Sequence, residues 1–452
     1  MENLKNIYSL MITSCLIVLM ITSCQDKKTP SPDNGNKAPA CNIISPSNNA
    51  TFHSIDSIIV TVAASDTDGT IAKVELYVDN IINGNPKTAA PYTFTIAAGT
   101  LAAGSHSIKA IATDNKGATR DAAISVNINY VPTVYIGGYE NNGHAAVAKY
   151  WKNGTVTSIT DGTYSAAINS IFLSGNDIYA AGYEFSGNTQ LAKYWKNGTG
   201  VTLGADASAA NSIAVNGSNV YVGGWEVVSG FDLPRYWSNG TATSVGAYDP
   251  FVSQTVLGNG QCTGVYLKDN NVYSAGYYRN SQGRFSPWET TDGFIPANTI
   301  PNNDKHCFAN AIFVSGSDKY VVGTQNNATT GLAMVTVWKN GVATTLTAGT
   351  VSVGVATAVF VAGSDVYVAG YEQENYYGGG AKFAKYWKNG VEIKLATVSS
   401  AATGITVFGN DVYVSGWENN GTNNVAKYWK NGISVNLTNG TYPASANCII
   451  VK

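Results

Sequence analysis

The chain is 452 residues long and carries 27 lysines and arginines against 29 aspartates and glutamates, a net charge of −2. So balanced a charge offers no basic field for nucleic acid, and the length exceeds one ordinary domain. Beyond the amino terminus no window is long and apolar enough to span a membrane as a helix.

Lys5 precedes an apolar run that ends in Leu16-Ile17-Val18-Leu19-Met20-Ile21-Thr22-Ser23-Cys24. A basic start, a short apolar core and small residues before a cut describe a signal peptide, too short for a stable span. Ile21-Thr22-Ser23-Cys24 resembles the lipobox of bacterial lipoproteins. The resemblance implies a signal peptide over residues 1–23, acylation of Cys24 and membrane attachment through that lipid. An ordinary secretory signal is the other reading. Residues 24–37, rich in polar residues and proline, form a tether.

Residues 38–130 alternate in strand fashion at Ile58-Ile59-Val60-Thr61-Val62, Val74-Glu75-Leu76-Tyr77-Val78, Ile108-Lys109-Ala110-Ile111 and Ile124-Ser125-Val126-Asn127-Ile128. Turn clusters between them predict roughly seven short strands, the size of an immunoglobulin-like sandwich. ASDTDGTIAKVELYVDN and GSHSIKAIATDNKGAT resemble bacterial Ig-like domains, which implies a spacer or adhesive module. Asp66, Asp68 and Asp114 could gather a structural calcium ion. The same Asp-x-Asp-Gly pattern also makes a self-bonded turn without metal, and no other cofactor is expected.

From residue 131 to 452 one unit is written seven times, as in VYVSGWENNGTNNVAKYWKNG, with copies starting at Val134, Ile178, Val220, Val272, Lys319, Val366 and Val412. Each copy holds two strands. A third apolar segment precedes it (Ser170-Ile171-Phe172-Leu173) and a fourth follows the turn (Val201-Thr202-Leu203). Four strands per repeat predict a seven-bladed β-propeller, so the whole is all-β: an Ig-like β-sandwich, then the propeller. The chain enters on a second strand and leaves on an innermost one, Cys448-Ile449-Ile450-Val451, which is expected to close the ring. Asn-Gly at the WKNG-type turn of six copies, Asn153-Gly154 to Asn431-Gly432, and Asp292-Gly293 in the other predict tight hairpin turns on one face and place the variable loops on the opposite one. The repeats resemble those of Bacteroidetes lipoproteins and, more loosely, kelch-type propellers, which implies fold and not activity.

Seven tryptophans, Trp151, Trp195, Trp237, Trp288, Trp338, Trp387 and Trp429, open the WKNG-type turn and are expected to pack between blades. Glu140, Glu184, Glu226, Glu372 and Glu418 recur with Lys149, Lys193, Arg235, Lys385 and Lys427, as cross-strand ion pairs would. The fourth copy carries Tyr278 with Ser286 instead, with Pro287 for the strand tyrosine, and the fifth Gln325 with Thr336. Trp225 and Trp417, near the variable face, could stack on sugars. Cys262 and Cys307 precede innermost strands of consecutive blades and are expected to form a disulfide in an oxidising compartment.

The longest loops bring Tyr248, Asp249, Phe251, Arg279, Arg284, Asp304, Lys305, His306, Tyr376 and Tyr377 toward one sector, where a ligand would bind; drift of a degenerate blade is the competing reading. The resulting expectation is an outer-membrane lipoprotein at the cell surface, or facing the periplasm, whose propeller binds an extracellular glycan or protein. A polysaccharide hydrolase or lyase using Asp249, Asp304, His306 or Tyr376 is the alternative, and a structural part of a surface assembly the third. Converging carboxylates in the channel would favour the enzyme. An uncharged aromatic platform would favour the binder.

Overall fold

The computed structural model describes residues 35–452 except 245–246, 250–253, 257–258, 280–284, 292–297, 300–305, 350–351 and 375–379. It divides into two compact units at residues 131 and 132.

The first unit is a sandwich of a three-stranded and a five-stranded sheet. Alternating residues of both sheets, Val60, Val74, Leu76, Ile108, Ala110 and Val126 among them, bury one face and make a single core. The strand Ala50–His53 lies parallel to Thr119–Asn129, and its neighbours pair antiparallel. Asp114 is 2% exposed and accepts the Lys116 and Ala118 amides. Asp68 accepts the Lys37 amide and the Lys116 ammonium, and Asp66 accepts the Asp68 amide. Gly69 is required here, since a Cβ would sit 2.4 Å from Asn115 Oδ1 and 2.5 Å from Asp66 Oδ2. The Asp66–Asp68 bond is the self-bonded turn that the Asp-x-Asp-Gly pattern also allows. Asp66 and Asp114 each brace a local turn, Asp68 ties distant segments together, and Asp66 Oδ2 is buried with no hydrogen-bond partner; among the described residues no group of three His, Cys, Asp or Glu side chains is placed to hold a metal.

In the second unit the described strands form seven four-stranded antiparallel sheets, numbered 1 to 7 in chain order. Each runs from an innermost strand outward. The innermost strands are Ala444–Val451 (sheet 1), Ala166–Ser174, Ser208–Asn216, Gly260–Lys268, Cys307–Ser315, Ser352–Ala362 and Ser400–Phe408 (sheet 7). Sheet 1 takes its innermost strand from the carboxyl terminus, Ala444 pairing with Glu140 and Val451 with Val134. The Asn-Gly turns adopt the left-handed pair of conformations, with φ of 49° at Asn431 and 83° at Gly432, which matches strand twist.

The sheets meet through apolar seams. Trp151, Trp237, Trp338, Trp387 and Trp429 are at most 1% exposed, and Trp195 is 3% exposed. Trp288 is also buried, but two residues out of the expected register. It pairs with Gly276, whereas Trp195 pairs with Ala180, the position Thr290 fills in sheet 4. Trp288 thus stands where Lys193 stands, so the positions of the missing ion pair are held by Tyr278 and Trp288. Glu289, not Pro287, takes the strand-tyrosine position, opposite Ala275 as Tyr194 is opposite Ala181. It is 4% exposed and bonds Lys319 Nζ of sheet 5 at 2.6 Å.

One backbone position recurs at each seam, and where it carries an amide hydrogen that donor must be satisfied. Ala192 N donates to Ser208 Oγ of the next sheet, as Ala384 N does to Ser400. Ala148, Val335 and Ala426 donate instead to Thr160, Thr347 and Thr438. The remaining two positions are Pro234 and Pro287, which have no amide hydrogen, and the positions facing them are Gly260 and Cys307, not serine. Cys307 is therefore a seam filler. It pairs with Gln325, the register of Ser208, while Cys262 pairs with Gly276, two residues further along. The expected disulfide is not formed, and both residues are buried thiols. The two-residue offset, roughly 7 Å along a strand, takes them out of bridging reach.

Candidate functional site

The innermost strands surround a channel of about 510 Å³. Each carries a β-bulge, and the extra residue is Asn169, Asn211, Thr263, Asn310, Thr357, Thr403 or Asn447. All seven donate to a backbone carbonyl of the following sheet: Asn169 to Ala210, Asn211 to Cys262, Thr263 to Ala309, Asn310 to Ala356, Thr357 to Ala402, Thr403 to Ala446 and Asn447 to Ile168. The last bond joins sheet 1 to sheet 2 and completes the circuit. The apolar segments evident in the sequence begin one residue after this collar, as Ser170 follows Asn169. The signal was an Asn or Thr two residues before the Ile or Val of each innermost segment.

Toward the hairpin-turn face, three residues along the strand, the wall becomes aromatic in one arc. Tyr266 and Phe313 have ring centroids 4.6 Å apart, and Phe313 and Phe360 5.0 Å, with Phe172 also in the wall. Among the described residues that line the channel there is no Asp, Glu, Lys, Arg or His. The titratable groups are Tyr266 and Cys448. Burial raises the phenol and pushes the thiol up to about 12, so both hold their protons at neutral pH.

A second cavity, about 400 Å³, opens between sheets 5 and 6 and is lined by His306, Phe308, Thr324, Asn326, Ala333 and Val355 among others. A larger one, about 680 Å³, lies on the turn face by Asp177, Tyr179 and Lys196. There the charges are already spent: Lys196 bonds Asp177 at 2.8 Å and lies over Tyr179. The Asp177 carboxylate lifts the Lys196 ammonium pKa and is itself held below the usual carboxylate range. The same brace recurs at Lys339 with Asp318, Lys388 with Asp365 and Lys430 with Asp411, so it belongs to the hairpins.

The Glu–Lys and Glu–Arg positions form five ion pairs within their hairpins, with Lys149–Glu140 at 2.6 Å, Arg235–Glu226 at 2.7 Å, Lys427–Glu418 at 2.8 Å, and Lys193–Glu184 and Lys385–Glu372 also bonded. They do not converge on one site. Of the sector residues, Arg279 ends the second strand of sheet 4 and His306 lies in the second cavity, both exposed. Tyr248 and Asp249 fall on the short strand Ala247–Asp249, paired with Gln254–Val256; their side chains lie outside the described set. Phe251, Arg284, Asp304, Lys305, Tyr376, Tyr377 and Cys24 lie outside the described residues.

Residues 39–110 match the bacterial Ig domain family. A search of curated proteins finds none that matches the chain. Among solved structures, the chain is similar to the β-propeller domain of the Trilobed protease from Pyrococcus furiosus, with 10% identity and a TM-score of 0.37 over 80% of this chain and 97% of that one. It is similar to an auxiliary nutrient binding protein from Bacteroides thetaiotaomicron, with 10% identity and a TM-score of 0.30 over 84% and 96%. The Clostridium thermocellum CbhA fibronectin(III)-like modules match 20% of this chain over 94% of theirs, with 24% identity and a TM-score of 0.18. The chain thus has a bacterial Ig domain followed by a large all-β region of four-stranded sheets that resemble propeller blades.

Proposed function

We propose that the second unit is a closed seven-bladed β-propeller that holds a neutral, hydroxyl-rich ligand, a glycan before all else, in its channel. The protein would be exported and lipid-anchored through Cys24, with the Ig-like unit as spacer. The observation that carries this reading is the uncharged channel wall, a collar of Asn and Thr oxygens above an arc of Tyr266, Phe313 and Phe360. Amide and hydroxyl groups match sugar hydroxyls, and aromatic faces accept the apolar face of a pyranose. Hydrolysis or elimination needs two titratable groups within reach of one bond, and the described channel wall supplies only groups that keep their protons.

The test is calorimetric titration of residues 38–452 with neutral and anionic oligosaccharides, with mass spectrometry of the ligand afterwards. Neutral glycans bind and are recovered whole. Phe313→Ala or Phe360→Ala weakens binding at least about tenfold, or 1.4 kcal/mol. Cleaved ligand, or affinity indifferent to both substitutions, contradicts the proposal.

A further inference from the structure

The seams of the ring differ at one register position near the variable face. Tyr139, Tyr183, Trp225, Tyr277, Tyr371 and Trp417 occupy it in six sheets, each paired with the innermost strand of its own sheet. Tyr277 shows how the ring is used. It crosses the seam onto Phe308 of the next sheet, edge to face, with centroids 5.0 Å apart. Burial raises the phenols of Tyr139, Tyr183 and Tyr277, as it should for rings sunk into apolar sockets.

Sheet 5 has Thr324 at this position, opposite Phe308 and Val335. The residue across the seam in sheet 6 is Val355, the register partner of Tyr371, just as Phe308 is the register partner of Thr324. Between Thr324 and Val355 lies the cavity of about 400 Å³, a size ordinary for small-ligand pockets. Phe308, Val355 and Ala333 give it apolar walls; Asn326 and His306 add polar groups. The small side chain of Thr324, one hydroxyl and one methyl, thus stands where six other sheets put a phenol or an indole, and no described residue takes up the room.

We propose that this vacated socket receives one aromatic ring from outside the chain, a phenol or indole with its polar edge toward Asn326 and His306. The other six sheets show which side chains the repeat places at this position, four tyrosines and two tryptophans, and Tyr277 shows one of them seated across its seam. Apolar walls pay no penalty for a ring face, and amide and imidazole groups can bond a phenolic O–H or an indole N–H. The ring can come as a side chain of a polypeptide or as a free aryl compound. The site is separate from the channel and stands without the glycan reading.

Saturation-transfer NMR on residues 38–452 tests it with N-acetyl-tyrosinamide, N-acetyl-tryptophanamide, free p-cresol and indole, and cyclohexanol as the non-aromatic control. The aryl probes bind with millimolar dissociation constants and cyclohexanol at least tenfold more weakly. Stronger binding of the amino-acid amides than of p-cresol and indole assigns the ring to a polypeptide, and the reverse order to a free compound. Thr324→Tyr restores the repeat, abolishes the signal and leaves the melting temperature equal or higher. Thr324→Ala keeps the socket open and keeps binding, and Phe360→Ala in the channel does not change it. No aryl binding by the unaltered protein, binding that survives Thr324→Tyr, or a melting temperature lowered by Thr324→Tyr would each overturn the proposal.

Discussion

Glu418 and Lys427 illustrate how unequal two halves of one ion pair can be. Lys427 is 5% exposed while the Glu418 side chain keeps 26%, so deleting the acid strands a buried cation. Glu418→Ala should cost roughly 1–3 kcal/mol in urea unfolding, and Glu418→Ala with Lys427→Met distinctly less. Equal losses would show that the charge is not stranded. His106 in the Ig-like unit donates to Asp79 Oδ2 at 2.6 Å and to the Ala102 carbonyl at 2.9 Å, which only the imidazolium can do at once. Its pKa is raised, first by that Asp79 bond, and the pair's stability is complete below about 6.5 and is lost as pH rises through the raised value. An NMR titration should place His106 above about 6.5 and Asp79→Asn should bring it down. The thiol of Cys262, pushed up to about 12 by burial, should resist a thiol reagent in the native protein and react after unfolding, as Cys307 should. Recovery of the two as a disulfide peptide would contradict the register argument.

At the scale of strands and seams, much was legible because the repeat is read by comparison with itself. The four strand types, the hairpin turns and the cross-strand ion pairs all follow from spacing and pattern. Sheet 4 was misread because Trp288 is the only tryptophan near its turn, and matching by residue type overrode matching by distance from Asp292-Gly293. Counting back from that Asp-Gly puts Thr290 in the tryptophan's place. The collar was missed for another reason: a bulge inserts a residue that breaks the period-two alternation by which strands are recognised. Pro287 and Cys307 make sense only across a seam, where loss of a donor meets loss of an acceptor. Ser208→Ala should therefore cost roughly 1–3 kcal/mol by leaving Ala192 N–H buried and unpaired. In an Ala192→Pro background the same change should cost little, and urea unfolding of the four proteins checks this.

For the whole ring, closure depends on the carboxyl-terminal strand Ala444–Val451, which completes sheet 1 and brings Asn447 to the Ile168 carbonyl. Deleting residues 444–452 bares the strand Val134–Asn141 as an open edge and breaks the collar. The melting temperature should fall by about 10 °C or more, and an unchanged curve would refute closure. What the sequence could not supply is the chemistry of the channel, because no pattern within one repeat tells which side chains of seven repeats meet at the axis. The most direct measurement is a crystal structure of residues 38–452 soaked with the tightest-binding neutral oligosaccharide. The ligand should lie in the channel between the Asn and Thr collar and the arc of Tyr266, Phe313 and Phe360. Density for it on the turn face, or against the Glu–Lys pairs with the channel empty, would contradict the account.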